Sequence, residues 1–208
     1  MKRFLMLVAF LIIGVSVLHG RSAPTIAGLG VDSAGRDAYS RSYELERRRD
    51  YRGAMTAVSH QPPSYLRELR LGWLSYLQGS YAPAVTHYRA AINMAPGSVE
   101  ARLGQILPLL ALKRYAETEA AARQILRIDD GNYYANLRLA YTLRMERKYS
   151  TAETVLLRML QRYPTDVAFR SETGLDEAAL SHRAAARRVF VDVLTLSPNN
   201  QLAVAHLR

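Results

Sequence analysis

The side chains that most often carry catalysis or hold metals are few and widely separated in this sequence. Its histidines have no metal-ligand spacing: His19, His60, His87, His182 and His206. No G-x-S-x-G segment marks a nucleophilic serine, and GLGVDSAG (28–35) lacks the lysine and strand–helix context of a phosphate-binding loop. The absence of cysteine removes thiolate metal sites and cysteine nucleophiles. The sequence therefore predicts a protein that is not an enzyme and has no cofactor or metal.

A short acidic cluster is the one remaining candidate for a cation site. Asp129, Asp130 and Asn132 lie close together, but they lack the alternating ligands and terminal glutamate of a calcium loop. Aspartate and asparagine are also common turn residues. We predict a turn here.

The chain is strongly basic, with a formal net charge of +10. Lys2, Lys113 and Lys148 are its only lysines, so arginine carries nearly all of the positive charge. The arginines are scattered and mixed with acidic residues, which favours a compositional origin over a nucleic-acid interface. Binding of an anionic polymer remains a distant alternative.

The N-terminus has the features of an export signal. Lys2 and Arg3 precede an apolar run from Phe4 to Leu18, which is followed by small and polar residues. A run of 15 residues is shorter than the ~20 needed to span a bilayer, which favours cleavage. No clean A-x-A site is present, so an uncleaved anchor stays open. We expect residues 1–20 to direct the chain out of the cytoplasm, to a periplasm where a lack of cysteine is an advantage.

The rest of the chain repeats with a period of 34 residues. Tyr81, Tyr115 and Tyr149 coincide in this register. Other coincident sets are Ala84, Ala152 and Ala186; Pro96, Pro164 and Pro198; and Gly72, Ala140 and Gly174. Four units follow, at 65–98, 99–132, 133–166 and 167–200. Places within a unit are counted below from its first residue.

This pattern resembles the tetratricopeptide repeat (TPR) family, whose unit is a 34-residue helix-turn-helix. The first unit matches the family at Leu71, Gly72, Gly79, Tyr81, Ala84, Tyr88, Ala91 and Pro96. The resemblance implies an all-α solenoid, a right-handed superhelix of antiparallel helix pairs. It covers 136 of the 208 residues.

The same residues suggest how a unit packs. Gly72 and Ala84 are small, so that the two helices can approach closely, and Tyr88 fills the space between that pair and the next. Unit two departs from the pattern with Gln105 and Ile106, and Pro108 predicts a kink in its first helix.

Both flanks of the repeat array are less regular. Residues 21–35 are small and turn-rich, which predicts a flexible linker. Residues 36–64 read as a degenerate helical hairpin that caps the stack, and 201–208 as a short C-terminal solvating helix. The last apolar face is thinly covered, which leaves self-assembly of copies open.

In TPR proteins, partners bind the concave surface formed by the first helix of each unit. The resemblance places the binding residues at Leu69, Trp73, Tyr76, Tyr134, Tyr141 and Arg144. Leu103, Leu107 and Leu137 face the same way, but packing between adjacent helices is favoured for them. The fifth and ninth places are apolar or aromatic, so the Lys, Asn and Arg that clamp a chaperone's C-terminal carboxylate in some relatives are absent there.

Three functions fit these features. The leading hypothesis is a non-enzymatic scaffold of the bacterial cell envelope that binds a segment of a partner protein in an apolar and aromatic groove. The alternatives are a self-assembling structural TPR protein and, more remotely, the anionic-polymer binder. Membrane contact is expected only through the N-terminal signal, if it stays uncleaved.

The export signal can be tested alone. A fusion of residues 1–30 to a reporter that is active only outside the cytoplasm should give activity, because the positive and apolar regions direct export. Activity with a cytoplasmic reporter only would contradict the expected localisation.

Overall fold

The computed structural model describes residues 31–208, so the predicted signal and most of the predicted linker lie outside the described residues. The described part is all α-helical. Its helices are α1 Ser33–Arg47, α2 Tyr51–Ser59, α3 Tyr65–Leu77, α4 Tyr81–Met94, α5 Val99–Ala111, α6 Tyr115–Leu126, α7 Tyr133–Met145, α8 Tyr149–Arg162, α9 Val167–Ala179, α10 Arg183–Leu196 and α11 Gln201–Leu207.

The helices follow the 34-residue period of the sequence. First helices begin at residues 65, 99, 133 and 167, and second helices at 81, 115, 149 and 183. Each helix packs on its neighbours in the chain, and the first helices also contact one another in sequence, α3 with α5, α5 with α7 and α7 with α9. The predicted all-α solenoid of four units behind an N-terminal hairpin is confirmed.

A polar residue caps the start of every first helix. Its side chain accepts a hydrogen bond from the backbone N–H three residues later, as Ser64 does from Arg67 and Ser98 from Ala101. The caps recur at Asn132, Asp166 and Asn200. Since such a cap satisfies an otherwise unpaired helical N–H, it fixes where each first helix begins.

The turn inside each unit also recurs. One residue adopts a left-handed backbone conformation, at Gly79 (φ 82°), Lys113 (57°), Arg147 (60°) and Ser181 (62°). The next N–H then bonds back to a carbonyl five residues earlier, as from Ser80 to Ser75. This hydrogen-bonded C-terminal turn ends the first helix and reverses the chain in few residues.

The two helices of a unit cross where the eighth place faces the twenty-fourth. A Cβ added at Gly72 would lie 3.1 Å from the ring of Tyr88, and one at Gly174 would lie 2.8 Å from the ring of Phe190. A Cβ at Gly104, in unit two, would also collide with Tyr88. Tyr88 therefore fills the space between its own pair and the next, as the sequence predicted.

Unit two reverses the sizes at this crossing. Its eighth place is the large Ile106 and its twenty-fourth is Ala122, and both are fully buried. Unit three is intermediate, with Ala140 and Leu156. The departure of unit two from the TPR pattern is therefore compensated inside the same unit. Helix α5 runs on through Pro108 to Ala111, and a kink there remains a prediction.

The N-terminal hairpin begins earlier than the expected residue 36. Helix α1 starts at Ser33, because the Asp32 carboxylate accepts a hydrogen bond of 2.7 Å from the Gly35 N–H and caps the helix. The last three residues assigned to the linker thus belong to the hairpin. The expected short helix after the fourth unit is α11.

Helix α11 starts where the first helix of a fifth unit would start, but it has only 7 residues. Its His206 ring stacks on Phe190 with the ring centroids 4.7 Å apart, and Ala203 is fully buried beside them. Leu196 and Leu202 stay partly exposed, at 40% and 36%. The cap covers the last aromatic residue but leaves apolar surface around it.

The size compensation can be tested by moving the pair of unit three into unit four. Gly174→Ala should lower the melting temperature, because overpacking against Phe190 costs about 1 to 3 kcal/mol and outweighs the ~1 kcal/mol gained by replacing a helical glycine. Phe190→Leu should cost less stability in the Gly174→Ala protein than in the wild type, with a coupling of at least about 1 kcal/mol. Additive effects of the two substitutions would show that the residues do not share one crossing.

Candidate functional site

An open cavity of about 790 Å³ lies along the first helices at the N-terminal end of the array. Its apolar lining comes from α3 and α5, its far edge from α7, and its other wall from α1 and the start of α2. The lining residues are Tyr43, Glu46, Arg47, Arg49, Tyr51, Leu66, Leu69, Arg70, Trp73, Leu77, Tyr88, Glu100, Leu103, Gly104, Leu107, Tyr134 and Arg138. This volume is within the range typical of ligand-binding clefts.

Glu46 of α1 joins the hairpin to the first helix of unit one. Its carboxylate accepts a hydrogen bond of 2.7 Å from the Trp73 indole N–H and another from Arg70 Nη1. Arg70 Nε donates to Ser42 at 3.0 Å, and its guanidinium lies 3.9 Å from the ring centroid of Tyr43. These contacts fix the indole of Trp73 with one edge anchored while its remaining surface lines the cavity.

Three of the six site residues expected from the sequence line this cavity. Leu69 and Trp73 come from α3, and Tyr134, which is 57% exposed, comes from α7. Leu103 and Leu107, for which a packing role was favoured, also line it, although Leu103 packs against the core as well. Leu137 is half-buried and packs against that core.

The other three expected residues lie outside the cavity lining. The Tyr76 ring packs between those of Trp73 and Tyr81, with centroids 5.8 Å from each. Arg144 forms an ion pair with Glu172 at 3.0 Å, and its guanidinium lies 5.2 Å from the Tyr141 ring centroid. Tyr76 thus supports Trp73, while Arg144 and Tyr141 form a separate contact further along the array.

The charged lining was missed by the sequence reasoning. Arg70 and Arg138 both occupy the sixth place of a first helix, two units apart, and that place was not among those considered. Glu46 and Arg47 come from the hairpin, which has no regular register to align. A recurrence of arginine at the sixth place of units one and three was the available signal.

Unit four contains a buried carboxylate without a hydrogen-bond partner. Asp176 in α9 is 4% exposed, and neither of its oxygens has a partner among residues 31–208. Burial raises the pKa of Asp176 to about 6; Arg144 opposes this shift, and Glu172 and Glu153 add to it. Burial also raises the pKa of Glu172, against the opposing effect of Arg144.

Within residues 31–208, no group of three or more histidine, aspartate or glutamate side chains is placed to hold a metal ion. In the same part of the chain, every helix is too short or too polar to cross a membrane.

Comparisons with known proteins identify the fold. No family model matches the chain, and no curated protein matches it in sequence. Similar solved structures include MamA of Desulfovibrio magneticus, at 14% identity and a TM-score of 0.75, with 83% of this chain and 99% of that one covered. A tetratricopeptide repeat protein of Parabacteroides merdae has 14% identity, a TM-score of 0.76 and coverages of 83% and 70%.

A third similar structure is YrrB, described as a TPR protein with an unusual peptide-binding site. It shares 12% identity, with a TM-score of 0.67 and coverages of 81% of this chain and 89% of YrrB. The fold and its 34-residue helix pairs define a repeat solenoid with an open cavity at its N-terminal end. The chain has the tetratricopeptide repeat fold.

The buried carboxylate predicts a pH-dependent stability. Since the folded-state pKa of Asp176 is about 6 and the unfolded value is ~3.9, the native state is destabilised as pH rises from about 4 to about 7. Asp176→Asn should raise the free energy of unfolding at pH 7.5 by about 2 to 3 kcal/mol and leave it little changed below pH ~4.

Thermal melting across this pH range is the measurement, with Asp130→Asn as the control at an exposed carboxylate. Equal melting temperatures of wild type and Asp176→Asn at pH 7.5 would contradict the burial of an ionised Asp176.

Proposed function

We propose that this protein is a non-enzymatic scaffold that binds a segment of a partner protein in the concave cavity. The observation that carries the proposal is the cavity itself, an open cleft lined by leucines and by the anchored ring of Trp73. The TPR fold supports it, and a similar structure, YrrB, is described as having a peptide-binding site.

The lining has the composition of a protein-binding surface. Apolar side chains from two adjacent helices meet an indole and a tyrosine, and such rings are enriched at binding hot spots. Because the hydrogen bond to Glu46 holds the Trp73 ring in place, little side-chain entropy is lost when a partner packs against it. The cleft is open to solvent, which would admit an extended or helical segment.

We place this scaffold in the cell envelope, since the N-terminal sequence has the features of an export signal. The partner would then be another envelope component, of a secretion or assembly system.

A second candidate function is self-assembly through the C-terminal end. The observation that favours it is the apolar surface around α11, where Leu196 and Leu202 remain partly exposed. Sedimentation at increasing protein concentration tests it, and Leu202→Glu should abolish any association that this surface supports. A single monomeric species at all concentrations would exclude this alternative.

The partner site can be mapped by photo-crosslinking in the source organism. A photoreactive phenylalanine analogue at Tyr134, on the rim of the cavity, should give a specific adduct, whereas the same analogue at Leu157 should not. Leu157 is 51% exposed and lies on the second helix α8, outside the cavity lining. Adding Trp73→Ala should reduce the Tyr134 adduct by at least about tenfold, because loss of a hot-spot ring costs ~2 kcal/mol or more.

Far-UV circular dichroism and thermal melting of the Trp73→Ala protein provide the control for folding. An adduct that persists unchanged in a folded Trp73→Ala protein would move the partner site away from this cavity.

A further inference from the structure

The lining of the cavity carries an excess of positive charge. Its four arginines are Arg47, Arg49, Arg70 and Arg138. Its two glutamates are Glu46 and Glu100. Both glutamates are already engaged, since Glu46 accepts from Arg70 and Trp73, and Glu100 accepts from the Tyr65 hydroxyl at 3.0 Å. Glu46 offsets the charge of Arg70, and with Glu100 counted as well the lining still has two more positive than negative side chains.

Two of these arginines have buried donors without partners. Arg70 is only 4% exposed, and its Nη2 has no hydrogen-bond partner among residues 31–208. Arg138 Nε is likewise buried without a partner there. Leaving a charged donor unsatisfied in a buried position is costly, so a native protein normally supplies an acceptor. Here both donors belong to side chains that line the same cavity.

Arg138 differs from Arg70 in having no acidic partner among the described residues. It forms no ion pair with any acidic side chain of residues 31–208, whereas Arg70 is paired with Glu46. Residues 1–30 contain no aspartate or glutamate, so no side-chain carboxylate from that segment could pair with it either. Burial lowers the pKa of the Arg138 guanidinium, which remains charged at neutral pH.

The repeat register explains how an arginine fits at this place. The twenty-fourth place of one unit meets the sixth place of the next, as Tyr88 meets Gly104 and Phe190 meets His206. By the same register, Ala122 of unit two is the residue that meets Arg138 of unit three. A small residue at position 122 leaves room for a guanidinium that a tyrosine or phenylalanine would displace.

We propose that the cavity takes an acidic segment of the partner protein, with a carboxylate side chain of that segment bound by Arg138. An apolar side chain of the same segment packs on Leu103 and Leu107, beside the anchored Trp73. This inference rests on the proposed function and adds the chemistry of the partner. It requires charge complementarity and apolar contact together, because the arginines and the leucines line one continuous cleft.

Trp73 supplies a built-in probe, since it is the only tryptophan in the chain and lines the cavity. Its fluorescence is to be titrated with an acetylated and amidated peptide of leucine, glutamate, glycine and serine. Matched peptides carry glutamine or lysine in place of every glutamate. The glutamate peptide should bind at least about tenfold more tightly than the glutamine peptide, as expected for a charge-assisted hydrogen bond. The lysine peptide should not bind.

Arginine variants locate the charge. Arg138→Gln should weaken binding of the glutamate peptide by at least about tenfold, whereas Arg127→Gln, which removes the same charge at an exposed site outside the cavity lining, should change it by less than about twofold. Arg138→Glu should lose the glutamate peptide and gain the lysine peptide. Thermal melting of each variant verifies that the array remains folded.

Several outcomes would overturn the inference. Equal affinity for the glutamate and glutamine peptides, no binding of either, or equal effects of Arg138→Gln and Arg127→Gln would each do so. Binding of the glutamine peptide only when its C-terminal carboxylate is left free would point to recognition of a chain end instead. If these tests fail while the Tyr134 adduct still depends on Trp73, the cavity binds a partner, but not through acidic side chains.

Discussion

The close crossing of two helices within each unit is the constraint on which the rest of the structure depends. At the eighth and twenty-fourth places, three units pair a small residue with a larger one and unit two reverses the order: Gly72–Tyr88, Ala140–Leu156 and Gly174–Phe190 against Ile106–Ala122. Native interiors are packed too densely for either residue to grow alone. A large residue at one of the two places therefore requires a small one at the other, whichever helix carries it.

The helices that cross in this way also line the cavity. The first helices α3 and α5 supply its apolar side, and α1 lines it too, held to α3 by the hydrogen bonds of Glu46 to Arg70 and Trp73. Tyr88, which fills the crossing of unit one, also contributes to the lining beside Gly104. The packing of the core and the shape of the site thus share residues, and a substitution at the crossing would change both.

The fold could be predicted because the 34-residue period recurs over four units, with Tyr81 and its equivalents in three of them and a closing proline in three of them. The lining of the cavity could be predicted only in part. Leu69, Trp73 and Tyr134 were identified from their places in a unit, but Arg70 and Arg138 were not, because long charged side chains are usually assumed to be solvated. The hydrogen bonds of Glu46 depend on how the N-terminal hairpin packs against unit one, and the hairpin does not follow the 34-residue register. The burial of Asp176 depends on residues that are distant in sequence.

The contact of Tyr88 with Gly104 has a consequence for how such a chain can change by recombination. An in-frame deletion of unit two would preserve the backbone period and every helix cap, yet it would bring the ring of Tyr88 against Arg138 in place of a glycine. In the present chain, the register places Leu156 of unit three next to Glu172 of unit four. Duplication of unit three would place Leu156 next to a second copy of Arg138 instead. The units therefore share one backbone period but are not interchangeable in order, because the residues that meet at each junction differ.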